Sequence, residues 1–175
     1  LLQTDPSASV LSNHVLGKPI RVEYKQIIAG AMMETLAADV LVANGKTAEA
    51  MNTYQRALKV YPQHRALSHG YARTLIQNKK PQVALEFINN QLQFIQNDAQ
   101  LFGLQAQCYE LLGDKMLEHR AQAEVYFHKG HYGAAIDQLK TALQNDNGNF
   151  YQLSSIEARL KQLQALKSDE EKSEK

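Results

Sequence analysis

Histidine, present six times, is the residue type through which this chain could most readily do chemistry. In "HKGH" the imidazoles of His128 and His131 stand three residues apart. Gly130 between them marks a turn, and no third or fourth ligand follows at a suitable spacing for zinc. The pattern H-E-x-x-H, which sets two imidazoles and a general base on one helix face, occurs nowhere. His64 and His69 straddle a turn and the next helix start and read as surface residues. His119 beside Glu118 has the members of an acid–base pair, yet both lie on a helix with no group to orient them. Cys108 is the sole cysteine, so no internal disulfide forms, and within "LFGLQAQCYELLG" it reads as a buried, inert thiol. There is no G-x-S-x-G elbow and no glycine-rich phosphate loop. Lys79 and Lys80 in "QNKKP" make too small a basic cluster to hold a phosphate. The expectation is a chain with no catalytic residue, no metal ligand set and no cofactor of its own. The competing enzymatic reading, a metal-dependent hydrolase using His119, His128 and His131, requires stoichiometric zinc.

The elements that would position any site are helical. Ala, Leu, Gln, Glu and Lys dominate, β-branched runs are rare, and most of the four prolines and nine glycines fall between periodic segments. The 175 residues suffice for one cored domain or a short array of repeats. Nineteen basic and eighteen acidic residues leave a net charge of +1, spread along the chain, without the basic stripe that nucleic acid requires. No stretch reads as a membrane-spanning helix or a signal peptide, and the start at Leu1 suggests a processed product or a piece of something longer. Residues 1–19 read as a linker or the tail of a preceding domain, 20–167 as the helical domain, and 168–175 as a charged, disordered tail.

Within that domain a pattern repeats. Gly45, Ala50, Tyr54, Ala57 and Leu58 recur as Gly130, Ala135, Leu139, Ala142 and Leu143. The period is 34 residues: a shift by 34 lays Ala84 under Ala50 and Ile88 under Tyr54, and a second shift puts Gly113 in the turn. Lys79 replaces the turn glycine of the second copy, and Pro81 suits the first turn of its second helix. Gly130 then follows Gly113 by 17 residues, half a period, so helix 115–128 is expected to serve two units at once. Gly30 is a possible break in the first helix, and 151–166 a helix capping the stack. This pattern resembles the tetratricopeptide (TPR) repeat, implying an all-α superhelical solenoid of antiparallel helix pairs, closely approached at small residues, with a C-terminal capping helix. An irregular helical bundle is the alternative.

In that register the first helices line a concave face, and its polar positions are Asp39, His69, Arg73, Gln107, Arg120, Glu124 and His128. They are the candidate partner-binding residues. Chaperone-binding TPR domains resemble one another in Lys, Asn and Arg residues that clamp a C-terminal carboxylate. The corresponding residues here are Thr35, Asp39, Gly70, Leu117 and Arg120, of which only Arg120 matches, so that type of clamp is not expected.

The segment 101–166 carries a narrower likeness. Its shortened third unit, "HRAQAEVYFHKGHYGAAIDQL" and the closing "ARLKQLQAL" resemble the C-terminal TPR module of periplasmic zinc metalloproteases of the β-barrel assembly-enhancing kind. The resemblance implies a periplasmic, non-catalytic arm that binds outer-membrane assembly machinery or its substrates. Any zinc would then sit in a separate protease domain, since none of that family's ligands has a counterpart here. A stand-alone TPR scaffold of a secretion or pilus-assembly complex is the alternative. Neither reading involves nucleic acid or membrane insertion, and the oligomeric state stays open.

Overall fold

Residues 19–145 and 148–173 are described by a computed structural model, and the expected linker 1–19 lies almost wholly outside them. Among the described residues there are eight helices: α1 (Pro19–Ala43), α2 (Thr47–Val60), α3 (Arg65–Gln77), α4 (Pro81–Leu92), α5 (Ala99–Leu112), α6 (Lys115–His128), α7 (Tyr132–Gln144) and α8 (Phe150–Ser173). The chain forms two compact units that divide after Leu67.

The first unit is built on the α1–α2 pair. Alanines at 31, 38, 50 and 57 are all buried, which lets the two backbones approach closely, and the wholly buried Tyr54 fills the space between them. The Tyr54 hydroxyl donates to the Asp39 carboxylate, giving the buried phenol a partner. Gly30 does not break α1, contrary to its reading as a possible divider. A Cβ there would strike the Tyr61 hydroxyl, so the glycine makes room for that ring.

In the second unit α3 meets α4 through an edge-to-face contact of Tyr71 with Phe87, centroids 4.9 Å apart. Asp98 caps α5 by accepting from the amides of Gln100 and Leu101, and Asp114 caps α6 through the amide of Leu117. Helix α6 packs on both α5 and α7. Met116 and Ala123 of α6, Ala135, Leu139 and Ala142 of α7, and Ile156 and Leu163 of α8 form one core cluster, so α8 covers the apolar side of α7. Burial drives the Cys108 thiol up to about 11, leaving it protonated and inert at neutral pH.

Four turns are built alike. At Gly45, Lys79, Gly113 and Gly130 the amide bonds to the carbonyl three residues back, and the next amide to the carbonyl five residues before itself, a Schellman closure. All four residues have positive φ, and Lys79 at φ 56 is the non-glycine among them. A Cβ in this left-handed region crowds the following carbonyl. Lys79→Gly is therefore expected to raise stability by about 0.5–1 kcal/mol, seen as a higher thermal midpoint. A lower one would mean that the lysine side chain contributes contacts exceeding its backbone strain.

The C-terminal segment departs from its reading as a disordered tail from 168 onward. Helix α8 runs to Ser173, because neither proline nor glycine follows Leu166. Lys172–Asp169 and Lys167–Glu171 pairs accompany that last stretch, though their exposure makes each worth little.

Candidate functional site

A cleft of about 770 Å³ opens within the second unit. Helix α5 contributes Phe102, Gln105 and Tyr109, spaced i, i+3, i+7 on one face. Helix α6 contributes Leu117, Arg120, Glu124, Phe127 and His128 by the same periodicity. Asn89 and Leu92 of α4, Gln93, Gln96 and Asn97 beyond it, and Arg159 of α8 complete the lining.

Its electrostatics are set by one ion pair. Arg159 donates to both oxygens of Glu124, from Nε at 2.8 Å and from Nη2 at 2.6 Å, and a third bond at 2.7 Å reaches Gln162. This two-pronged geometry joins orientation to charge. The same guanidinium lies 4.3 Å above the Phe127 ring, a cation–π contact. His128 stacks on Phe102 at 5.3 Å and meets Phe127 edge-on at 5.0 Å. Glu124 is thereby neutralised by Arg159, and no carboxylate among the described residues pairs with Arg120. Burial raises the pKa of the Tyr109 phenol, opposed by the Arg120 charge beside it. Gln105 donates to Asn89 at 2.7 Å, tying α5 to α4 across the floor.

The residues singled out in the sequence are thus dispersed. Arg120, Glu124 and His128 line the cleft together. Gln107 is exposed on another face of α5, and Arg73 is exposed on α3; neither lines the cleft. His69 is bound through Nε2 to the buried Asp98 carboxylate at 2.9 Å, where it braces the α5 cap. Asp39, in the first unit, is engaged by Tyr54. His119 is held by Gln138 at 2.8 Å, and no group of three or more His, Cys, Asp or Glu among the described residues is arranged to hold a metal ion. Sequence reasoning passed over Asn89, Phe102, Gln105, Tyr109, Phe127 and Arg159. The 102/105/109 spacing was the one local signal available, while nothing near Arg159 points to Glu124.

Residues 41–108 match a family model described as tetratricopeptide repeat. No curated protein matches the chain. Among solved structures the chain is similar to the MamA RS-1 ArsTM double mutant, at 14% identity over 78% of this chain and 76% of that one, with a TM-score of 0.52. A crystal structure of MamA protein aligns at 14% identity over 80% and 85%, TM-score 0.49. The first TPR domain of the human RPAP3 protein aligns at 16% identity over 79% and 95%, TM-score 0.43. The first of these likenesses shows a shared fold and nothing further. The protein has the all-α tetratricopeptide-repeat solenoid fold. Domains of this fold are protein–protein interaction modules and are generally non-catalytic. No helix among the described residues is long and apolar enough to cross a membrane.

Proposed function

We propose that this chain binds an extended, acidic segment of a partner protein in the α4–α5–α6 cleft, and that it is the non-catalytic arm of a periplasmic zinc metalloprotease in outer-membrane protein quality control. The observation that carries the binding reading is the charge distribution in the cleft. With Glu124 occupied by Arg159, Arg120 is left as a cation without a carboxylate partner among the described residues. Around it Asn89, Gln93, Gln96 and Gln105 offer amides that both donate and accept, which suits the alternating polar groups of a peptide backbone. Phe102, Tyr109 and Leu117 supply apolar area. The family and the compartment rest on the resemblance of 101–166 to the C-terminal module of those proteases. No cofactor belongs to this chain in that reading.

The binding experiment is fluorescence anisotropy with extended peptides that differ in one acidic residue. Acidic peptides bind more tightly, their affinity falls with added salt, and Arg120→Glu weakens them at least about tenfold without moving the thermal midpoint. Equal binding of acidic and neutral peptides, or an Arg120→Glu variant that binds as well as the parent, would sink the proposed occupant. The family reading is checked on the full-length natural polypeptide. An H-E-x-x-H helix and bound zinc support it, and their absence from that polypeptide overturns it.

A further inference from the structure

Over residues 28–43, helix α1 is apolar around most of its circumference. Ala31 and Ala38 are buried on the α2 side, while Ile28, Met32, Met33, Leu36 and Val40 are each half or more exposed. Helices that are hydrophobic all round are normally covered all round. Residues 28, 32, 36 and 40 step four at a time, so they form one continuous ridge with Met33 beside it.

We propose that this ridge pairs with the same ridge of a second copy of the chain, in an antiparallel two-fold contact centred near residue 34. The order of side chains along it is what a two-fold axis needs. Ile28 falls opposite the partner's Val40, and Met32 opposite the partner's Leu36, so β-branched ends meet and centres without β-branching meet.

Charge permits the contact. Only residues close to a two-fold axis meet their own copies, so an outward-facing charge near residue 34 would face a like charge. The charged residues between 28 and 43 are Glu34 and Asp39, and both are drawn toward α2, by Arg56 at 3.2 Å and by the Tyr54 hydroxyl. Area is sufficient for a modest dimer. A patch on the order of 500 Å² is near the upper end of what a monomer exposes, and two such patches bury about 1,000 Å², the lower bound of a specific interface.

Sedimentation equilibrium on the intact chain, from low to high micromolar concentration, tests the pairing. A concentration-dependent dimer is expected, with Leu36→Glu raising its Kd at least about tenfold while circular dichroism stays unchanged. Short bis-maleimide cross-linking then reads the register, Cys108 being buried and silent. Antiparallel pairing places positions 28 and 40 of opposite copies within about 10 Å and the two copies of position 28 roughly 20 Å apart. Ile28→Cys mixed with Val40→Cys therefore cross-links, and Ile28→Cys alone does not. A monomer at every concentration, a dimer indifferent to Leu36→Glu, or efficient Ile28→Cys self-linking would each overturn the proposal.

Discussion

Tyr54→Ala is expected to destabilise the α1–α2 unit by about 3–5 kcal/mol. Tyr54 is 1% exposed, and the residues framing it, Ala31, Ala38, Ala50 and Ala57, have no side-chain length with which to fill the void. The cavity therefore cannot collapse without moving a helix, which puts the cost in the upper range for such changes. Truncation also leaves Asp39 without the hydroxyl that donates to it. Tyr54→Phe separates the two contributions. It keeps the ring and loses one hydrogen bond, and is expected to cost only about 0.5–1.5 kcal/mol. Chemical denaturation of both variants, with the slope checked for constancy, provides the comparison. If both lose the same amount, the hydrogen bond and not the packing holds the pair together.

Arg159→Ala is expected to cost about 2–3 kcal/mol and to weaken peptide binding in the cleft as well. The side chains of Arg159 and Glu124 are 21% and 16% exposed, so neither charge is well hydrated once its partner is gone. The variant loses two charge-assisted hydrogen bonds and the cation–π contact on Phe127, and strands the Glu124 carboxylate beside Arg120. That carboxylate then competes with any acidic ligand, which is why stability and binding fall together. Glu124→Gln with Arg159→Met replaces both charges by neutral groups of similar length. It is expected to recover most of the stability, since an ion pair and a well-packed neutral pair differ little in net worth. A thermal midpoint for Arg159→Ala within a degree of the parent would show that the pair contributes nothing to the fold.

Helix order was legible because it is written in local terms. Gly45, Gly113 and Gly130 are required by the left-handed backbone at their turns, so their 68- and 17-residue intervals, two periods and half a period, follow the architecture directly. Lys79 in the corresponding place broke the glycine pattern but not the turn, since Pro81 still starts the next helix. The alanines at 50, 57, 84, 135 and 142 were recognisable as close contacts because only small residues permit helices to approach so nearly. The length of α8 was not legible in the same way. A run of Ser, Asp, Glu and Lys is compatible with either coil or helix, and continuing a helix already nucleated costs little.

The candidate site was legible only in part, for a different reason. A repeat register gives the face of a helix on which a polar residue lies, and Arg120, Glu124 and His128 share one cleft accordingly. It does not say which polar residue is already taken. His69 is claimed by Asp98 across 29 residues, Asp39 by Tyr54 across 15, and Glu124 by Arg159 across 35. By itself, then, the sequence determined the helices, their turns and the small-residue contacts between them, since each depends on neighbours three or four positions away. Only the tertiary structure decided which charges are spent inside the protein and which, like Arg120, have no carboxylate partner among the described residues, because pairing at such separations follows from how the helices pack.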